Sequence, residues 1–452
     1  MTGIVMFVAA LAMLLIGFPV AFTFGAVSVI FGLSFGIVEA IQDNIPLMEG
    51  FIDTGVDMFG FMPFRIYSIM QNTILMAVPL FIFMGIILQK SQLAEKLLEA
   101  MGTLFGEMRG GVAISTVLVG ALLAASTGVV GASVVAMGVI SLPVMLKYKY
   151  NKELATGTIC ASGTLGQIIP PSIVLIIMGD VFQVPVGDLF KAAVIPGVSL
   201  VAAYILYIIF IAYKDKDAAP AIPPTDLNET KIQQIIRALK AIIPPLTLIV
   251  VVLGSIFAGV ATPTESAAVG SVGAMLLAMM YKQFSLKMLK DSALETAKVT
   301  AMVFAILIGA TAFSMVFTYA GGDAVVEEFM MNLPGEKWGF IVTSMLAIMF
   351  LGFFIDFVEI SYIIVPILVP IAENLGINPV WYAILIAMNL QTSFLTPPFG
   401  FSLFYLRGVA PPSVRTIDIY RGVIPFITLQ VIILAILVIE PGWFGISSVA
   451  GG

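Results

Sequence analysis

Two apolar stretches of the chain are each interrupted by a pair of adjacent prolines. The first reads GTLGQIIPPSIVL over residues 163–175, and the second reads QTSFLTPPFGFSL over residues 391–403. A proline removes a backbone donor and clashes with the preceding turn, which costs about 3 kcal/mol inside a helix. Apolar residues flank both pairs over the roughly 20 residues that cross a bilayer. We therefore expect two helices, over 155–179 and 380–406, that are broken at membrane depth; simple kinking for packing is the alternative.

The composition predicts a membrane protein. Of the 452 residues, 60% are hydrophobic and 11% are charged, whereas soluble domains are about 25% charged. The chain has no histidine and a single cysteine, Cys160, which argues against histidine-based metal sites, catalytic triads and an internal disulfide framework. It contains no phosphate-binding loop motif and no basic patch with interleaved aromatics, so we expect no cofactor and no nucleic-acid partner.

The apolar segments fall into two groups by length. Those of a single crossing cover residues 3–17, 19–36, 66–89, 155–179, 189–213, 241–258, 263–281, 298–320, 380–406 and 422–439. Two further regions, 112–146 and 340–371, are too long for one crossing, and each has small or polar residues at its middle. We expect both to be re-entrant hairpins, because non-helical backbone is tolerated at membrane depth where it lines a cavity or is buried in protein.

The basic residues predict the orientation. With both termini in the periplasm, all 21 Lys and Arg residues except Arg65, Lys191 and Lys337 lie inside, as the positive-inside rule requires. The N-terminal stretch lacks a basic region and a cleavage motif, so we interpret it as a retained span. The cytoplasmic loop 214–240 ends in KIQQIIRALK, which is typical of a basic amphipathic helix on the inner leaflet.

The chain divides into two halves with the same plan. Residues 1–213 and 241–452 each contain three spans, a hairpin and two spans, and the loop 214–240 connects them. Five crossings is an odd number, so the second half enters the membrane upside down, as in the inverted-topology repeats of many secondary transporters. The same 27-residue spacing separates Pro143 from Pro170 and Pro370 from Pro397. The predicted fold is an all-α polytopic membrane protein with two hairpins and two broken helices.

Only three carboxylates, Glu265, Asp356 and Glu359, lie within the predicted membrane segments. An ionised group at mid-bilayer costs about 2.5–3.5 kcal/mol or more, so each is a functional candidate. Asp356 lies at the tip of the second hairpin; we predict a cation ligand, and the alternative is a carboxylate that simply reaches water. Glu359 lies one turn away, and the sequence does not decide whether it binds a cation or simply reaches water. Glu265 follows Thr262 by three residues, which favours a capping box.

Uncharged polar atoms supply the remaining candidates. The first hairpin tip offers hydroxyls and carbonyls that suit Na⁺, or a small-residue packing surface; its residues are Ser126, Thr127, Gly128, Gly131 and Ser133. The helix breaks are expected to line a substrate cavity with Thr164, Gln167, Pro170, Pro171, Ser172, Asn389, Gln391, Thr392, Ser393 and Thr396. No Lys or Arg lies at mid-membrane, so an anion must be held by helix dipoles, hydroxyls, amides and bound cations.

Motifs along the whole chain carry a family resemblance. They are LLIGFPVAFTFG at 14–25, VPLFIFMGIIL at 78–88, GTLGQIIPPSIVLI at 163–176, GVATPTESAAVG at 259–270, LGFFIDFVEISYIIVPILVPIA at 351–372 and LTPPFGFSLF at 395–404. In this order they resemble the large, DctM-type membrane subunit of the tripartite ATP-independent periplasmic (TRAP) transporters. The resemblance implies Na⁺-coupled secondary import of a small organic acid across a bacterial or archaeal inner membrane.

The resemblance also implies partners, a mechanism and ion sites. A periplasmic binding protein delivers the substrate, a small four-helix membrane subunit braces the large one, and hairpins and broken helices move past a scaffold in an elevator motion. Family sodium sites lie at the hairpin tips and the facing breaks. By position, these correspond to residues 126–133 with Gly163, Thr164 and Gly166, and to Asp356 with Thr396, Pro397 and Gly400.

Three other functions are alternatives to a TRAP transporter subunit. A stand-alone dicarboxylate or oxyanion carrier would keep the fold class but need no partner subunits. An intramembrane enzyme is disfavoured by the lack of histidine and of paired catalytic carboxylates on adjacent helices. A channel is disfavoured because broken-helix inverted repeats are typical of alternating access. The sequence does not identify the substrate.

Overall fold

The fold is helical throughout the described chain. A computed structural model describes residues 2–127, 130–223 and 230–449, with the side chains of residues 125–127 left out. These residues form helices, turns and loops, with one isolated antiparallel bridge between Ile377 and Val449. The predicted all-α architecture is confirmed.

The first half contains eleven α-helices with short 3₁₀ and π segments between them. In chain order they are α1 (Thr2–Ile16), α2 (Val20–Asp43), α3 (Leu47–Gly50), a π-helix (Phe51–Val56), a 3₁₀ helix (Asp57–Phe61), α4 (Met62–Gln71), α5 (Ala77–Lys90), α6 (Leu93–Phe105), α7 (Gly111–Thr127), α8 (Val130–Lys147), α9 (Lys152–Thr164), a 3₁₀ turn (Leu165–Gln167), α10 (Ile173–Val181) and α11 (Val186–Lys214).

The second half repeats this order with fewer short segments. Its elements are α12 (Lys231–Phe257), α13 (Pro263–Met280), α14 (Leu286–Tyr319), α15 (Gly322–Met331), α16 (Lys337–Leu351), α17 (Phe357–Glu359), a π-helix (Ile360–Ile364), α18 (Val365–Asn374), α19 (Pro379–Leu395), α20 (Phe401–Val409), α21 (Thr416–Ile439) and a 3₁₀ helix (Pro441–Phe444). Among the described residues, seven helical runs are long and apolar enough to cross a membrane: α2, α8, α11, α12, α14, α21 and the continuous run Phe357–Asn374.

The predicted span 66–89 is wrong as a single helix. It is divided between α4 and α5 by a turn at residues 72–76. The Asn72 side chain causes this division, because its Oδ1 accepts the backbone N–H groups of Ile74 at 2.9 Å and Leu75 at 3.4 Å. An Asn oxygen that satisfies free amides in this way favours a turn over helix continuation.

The amphipathic segment KIQQIIRALK is not a separate helix either. It forms the first turns of α12, which runs without a break into the predicted span 241–258 and contains Pro244 and Pro245. A proline frees the carbonyl four residues earlier, which here belongs to Lys240 or Ala241. These carbonyls lie at the predicted membrane boundary, where water can satisfy them, so this proline pair does not break the helix.

The region 112–146 forms a helical hairpin. The Val112 N–H donates to the Tyr150 hydroxyl at 3.3 Å, and Thr116 Oγ1 donates to Ser141 Oγ at 3.1 Å. Helices α7 and α8 are therefore antiparallel, with both ends on one side of the molecule. We call this unit hairpin one.

The region 340–371 likewise folds back on itself. The Ser448 carbonyl accepts Lys337 Nζ at 2.8 Å and the Asn378 N–H at 3.3 Å. The start of α16 and the residue that follows the α18 turn thus meet at the same segment. We call residues 337–374 hairpin two.

Contacts between the halves establish their opposite directions. Helices α5 and α13 are parallel, because Thr264 Oγ1 donates to the Thr73 carbonyl at 2.8 Å and Ser271 Oγ donates to the Leu80 carbonyl at 3.0 Å. Helices α2 and α14 pack with Gly309 against the Ala21 carbonyl and Gly32 against Val316, so they are also parallel.

Helices α13 and α14 follow each other through a short turn, and both span the predicted apolar layer, so they are antiparallel. Helix α2 therefore runs opposite to α13, its counterpart in the second half, and α5 runs opposite to α14. This is the geometry of an inverted repeat. The domain boundaries at residues 213 and 241 and the absolute orientation in the membrane stay predictions.

The core of the molecule lies around the two broken helices. Every residue from Leu154 to Thr164 in α9 and from Trp381 to Leu395 in α19 is buried. Helix α9 packs closely on α21, where a methyl group on Gly157 would overlap the Gly422 carbonyl and one on Gly422 would overlap the Glu153 carbonyl. The absence of side chains at these two positions permits this close approach.

We predict that Gly157→Ala or Gly422→Ala lowers the free energy of unfolding by about 1–3 kcal/mol, the usual result of overpacking. Denaturant titration of the purified protein in detergent measures this change. Gly254→Ala is the matched control, since nothing lies within 4 Å of its added methyl group. Equal stability of all three variants would contradict the assigned packing of α9 on α21.

Candidate functional site

The first helix break is built by a 3₁₀ turn and a new helix start. Helix α9 ends at Thr164, and Ser172 begins α10 by accepting the Leu175 N–H at 3.5 Å with its hydroxyl oxygen. The same hydroxyl donates to the Gln167 carbonyl at 2.6 Å. Residues 165–172 are therefore held in a compact, non-α conformation, and the Pro170–Pro171 peptide bond within them is cis.

The second break has the corresponding form. Helix α19 ends at Leu395, α20 begins at Phe401, and the Pro397–Pro398 bond between them is cis. The Gly400 N–H donates to the Thr396 carbonyl at 3.0 Å, and Ser402 Oγ donates to the Phe394 carbonyl at 2.9 Å. A polar side chain thus satisfies a carbonyl that the unwound helix leaves free, as buried backbone requires.

Hairpin one packs against the first break with residues on either side of its tip. A side chain on Gly163 would overlap Val134, and one on Gly166 would lie 3.6 Å from Ala124 Cα. Both arms of the hairpin therefore contact the predicted Gly163–Gly166 region. Of the tip candidates, Gly128 and the side chains of Ser126 and Thr127 lie outside the described residues.

The other two candidates of hairpin one lie on α8. Ser133 is 3% exposed, so its hydroxyl lies inside the protein. Gly131 faces α20, because an added methyl group would lie 2.9 Å from Cζ of Tyr405. The sequence offered no reason to select Tyr405, whose approach to the hairpin depends on a tertiary contact.

Hairpin two packs against the second break. Asn389 Nδ2 donates to the Met345 carbonyl at 2.7 Å, and a methyl group on Gly352 would lie 2.7 Å from Ser393 Cβ. Aromatic rings extend this contact, with Phe354 and Phe399 centroids 5.2 Å apart and Phe357 and Phe394 centroids 6.1 Å apart. In the described part of the chain, each hairpin therefore packs against its own helix break.

Asp356 and Glu359 begin the second arm of hairpin two. Asp356 is the N-cap of the run Phe357–Asn374, and its Oδ1 accepts the Phe357 N–H at 2.7 Å. One Glu359 oxygen interacts with the Asp356 backbone N–H, and the other has no hydrogen-bond partner among the described residues. Glu359 is 3% exposed. Neither carboxylate has an ion-pair partner in the described part of the chain.

Most hydroxyls at the breaks donate to nearby backbone carbonyls. The donations are Thr164 to Ala161 at 2.9 Å, Thr392 to Met388 at 2.9 Å, Ser393 to Leu390 at 2.8 Å and Thr396 to Thr392 at 2.7 Å. Their protons are thus used locally, while their oxygen lone pairs remain available to a cation.

The two glutamine side chains behave differently. Among the described residues, neither Gln167 nor Gln391 has a partner for a well-aligned side-chain hydrogen bond, although both are buried. The Gln391 carboxamide does interact with the Tyr204 hydroxyl, which accepts Gln430 Nε2 at 2.7 Å. Carboxamides offer both donors and acceptors, so these two residues retain capacity for a polar ligand.

The two broken segments themselves carry no charged side chain. Residues 155–179 and 380–406 contain no Lys, Arg, Asp or Glu. The first charged residues beyond them are Asp180, which accepts Asn72 Nδ2 at 2.5 Å, and Arg407, which donates to the Val414 carbonyl at 2.5 Å. Oxygen atoms and amides are therefore the polar groups that the two breaks can offer to a solute.

Glu265 has a structural role at the start of α13. Its carboxylate accepts the Thr262 N–H at 2.8 Å and the Thr262 hydroxyl at 2.9 Å, while the Glu265 N–H donates to Thr262 Oγ1 at 3.3 Å. This reciprocal pattern is the capping box predicted from the sequence.

Comparison with known proteins identifies the family. Residues 7–443 match the family described as "Tripartite ATP-independent periplasmic transporter, DctM component". The chain belongs to this family.

Among the relatives of this DctM protein is the C4-dicarboxylate TRAP transporter large permease protein DctM of Pseudomonas aeruginosa. It is 30% identical over 392 residues, which cover 85% of this chain and 90% of the relative. The sialic acid TRAP transporter large permease protein SiaM of Vibrio cholerae is 28% identical over 372 residues, covering 82% and 85% of the two chains. The protein is thus a multi-pass transporter subunit and not an enzyme.

A solved structure supports the fold alone. The YdaH transporter of Alcanivorax borkumensis, described as having an unusual topology, superposes with a TM-score of 0.59 at 13% identity. The match covers 87% of this DctM protein and 89% of that chain.

We predict that Glu265→Ala lowers the melting temperature without removing transport, because it deletes one half of a helix cap. Glu265→Gln retains an acceptor at the same position and serves as the matched control. Thermal unfolding in detergent and uptake in liposomes are measured on the same preparations. Loss of uptake in a fully folded Glu265→Gln protein would assign Glu265 a functional role instead.

Proposed function

We propose that this DctM protein imports a small organic acid, delivered by a periplasmic binding protein, in symport with Na⁺ across a bacterial or archaeal inner membrane. The observation that carries the proposal is the pairing of each hairpin with a helix break. Hairpin one meets Gly163 and Gly166, and hairpin two meets Asn389 and Ser393. Such discontinuous helices bind substrates and coupling ions in secondary transporters.

The charges at the breaks favour binding of cations before the anion. A carboxylate brought to the breaks meets no cationic side chain within residues 155–179 and 380–406. The hydroxyl lone pairs and free carbonyls suit a hard cation such as Na⁺, and Asp356 adds one negative charge beside the second break. A bound cation then supplies the positive charge that an organic anion requires.

The packing also suits an elevator motion. The hairpins contact the broken helices, as α7 does with α9, α16 with α19 and α8 with α20. Helices α5 with α13 and α2 with α14 form separate parallel pairs. In the proposed motion, the hairpins and broken helices slide as a unit past these pairs, and a separate small four-helix subunit braces the pairs in the membrane.

The proposal is tested by reconstituting this chain with a small membrane subunit and a loaded periplasmic binding protein in liposomes. We expect uptake of the radiolabelled organic acid only when all three proteins are present and an inward Na⁺ gradient is imposed. Replacement of external Na⁺ by choline should abolish uptake. Equal uptake in choline, driven by a pH gradient, would contradict Na⁺ coupling, and uptake by this chain alone would favour a stand-alone carrier.

Asp356 provides a residue-level prediction. We expect Asp356→Asn to reduce Na⁺-driven uptake sharply, because it removes the charge but keeps an oxygen that can cap the helix. Asp356→Ala should have the same effect on uptake and should also lower stability. The matched control is Asp323→Asn, since Asp323 is also near a helix start and accepts the Ala324 N–H at 2.8 Å. Unchanged Na⁺ dependence in Asp356→Asn would remove Asp356 from the ion site.

A further inference from the structure

The loop between the two halves forms a strap across the base of hairpin one. We define the strap as residues 215–223, which follow α11. The Ala218 carbonyl accepts the Asn151 N–H at 2.9 Å, and the Ala219 carbonyl accepts the Gly110 N–H at 3.0 Å. Asn151 and Gly110 lie at the two ends of hairpin one, so adjacent strap residues join both ends.

The strap is also attached to the end of α6. The Ile222 N–H donates to the Gly106 carbonyl at 2.7 Å, and the Ile222 side chain is 6% exposed. Gly106 and Gly110 bound the turn that leads from α6 into hairpin one. The strap therefore joins the two ends of this turn by hydrogen bonds, in addition to the covalent chain that already links them.

Helix α6 is held by the second half of the protein. Lys96 Nζ lies 4.4 Å from the centroid of the Tyr281 ring at the end of α13. Arg237 of α12 pairs with Glu99 at 2.5 Å, and Lys231 pairs with Glu107 at 2.9 Å. Although each exposed ion pair contributes little, these contacts attach α6 and the turn after it to α12 and α13. Helix α6 also contacts hairpin one directly, because Ser115 Oγ of α7 donates to the Met101 carbonyl of α6 at 2.8 Å.

The two attachments of the strap are unequal. On the hairpin side, two backbone hydrogen bonds involve Ala218 and Ala219, which are 5% and 0% exposed. On the α6 side, the described strap residues make one backbone hydrogen bond and one side-chain contact, both from Ile222. Pro220 separates the two attachments and has no N–H to reinforce either of them. Of the two strap attachments, the Ile222 attachment is therefore the weaker, and a movement of hairpin one relative to α6 must break it together with the direct Ser115–Met101 contact.

We propose that the strap is a conformational latch, which locks hairpin one to α6 in this conformation and releases at Ile222 during each transport cycle. The inference rests on the proposed motion of the hairpins past the other helices. It assigns the linker a mechanical role that its proline-rich sequence alone does not reveal.

A reversible cross-link tests the latch. A methyl group on Gly106 would lie 3.4 Å from Cγ1 of Ile222. Because Cγ1 is bonded to Cβ, the two Cβ atoms fall near the separation of about 3.5–4.5 Å that disulfides require. We therefore combine Gly106→Cys with Ile222→Cys. The single native cysteine, Cys160, is fully buried, so we expect it to contribute little to cross-linking or to thiol labelling.

We expect rapid disulfide formation under a mild oxidant, loss of Na⁺-driven uptake in the oxidised protein, and full recovery after reduction. The matched control joins Thr116→Cys to Ser141→Cys, whose native oxygens are 3.1 Å apart. That bond lies within hairpin one and should leave uptake unchanged. Undiminished uptake by fully cross-linked Gly106–Ile222 protein would overturn the latch, as would failure of the pair to cross-link.

The failure of the proposed function is distinguishable from failure of the latch. If the reduced protein shows no Na⁺-driven uptake, the transport proposal is wrong. A second measurement then still tests the latch without a substrate: fluorescein maleimide labelling of the single variant Ile222→Cys in membranes, in sodium chloride and in choline chloride. Release predicts labelling well above the Cys160 background and a rate that depends on Na⁺, whereas background labelling in both salts would overturn it.

Discussion

The requirement that every backbone polar group in a bilayer has a partner governs this structure. Two helices are broken at proline pairs, and each break frees carbonyl groups that lipid cannot satisfy. The protein surrounds these breaks with other protein: all residues of Leu154–Thr164 and Trp381–Leu395 are buried, and a hairpin covers each break. Ser172 and Ser402 supply hydroxyl donors to carbonyls exposed by the unwinding. The arrangement of the remaining helices follows from keeping the two breaks away from lipid.

The parts of the fold that depend on proline chemistry, segment length and the distribution of charge could be predicted from the sequence. The breaks at Pro170 and Pro397 follow from the missing donor and the steric clash of proline, and the hairpins follow from length and from the distribution of basic residues. The division of residues 66–89 was missed because it depends on how Asn72 uses its side-chain oxygen. The continuation of the amphipathic segment KIQQIIRALK into the span 241–258 as one helix was not foreseen either, although the span itself was predicted as a single crossing that contains Pro244 and Pro245.

The candidate site was predictable as a region but not as a set of contacts. The family resemblance implied that hairpin one lies near Gly163–Gly166 and that Asp356 of hairpin two lies near Thr396, Pro397 and Gly400. The structure packs Val134 of hairpin one against Gly163 and Gly352 of hairpin two against Ser393. The sequence could not show that Thr392 and Thr396 donate to carbonyls of their own helix, or that the Gln167 side chain has no hydrogen-bond partner within the described chain. These outcomes depend on rotamers and on neighbouring helices. Tyr405 was overlooked for the same reason, since its contact with Gly131 joins elements far apart in the chain.

The two halves share a backbone plan but differ in charge. The candidate residues of hairpin one are uncharged, whereas hairpin two begins its second arm with Asp356 and Glu359, of which Glu359 is buried with one oxygen that has no hydrogen-bond partner among the described residues. A buried carboxylate without a positive partner is costly, so the proposed site at hairpin two gains more from a bound cation than the proposed site at hairpin one. Hydroxyls and carbonyls carry no net charge, so the proposed first site avoids this cost but attracts a cation less strongly. In the proposed Na⁺ coupling, the repeated backbone plan sets the position of each ion site, and local charge sets how strongly each site requires a cation.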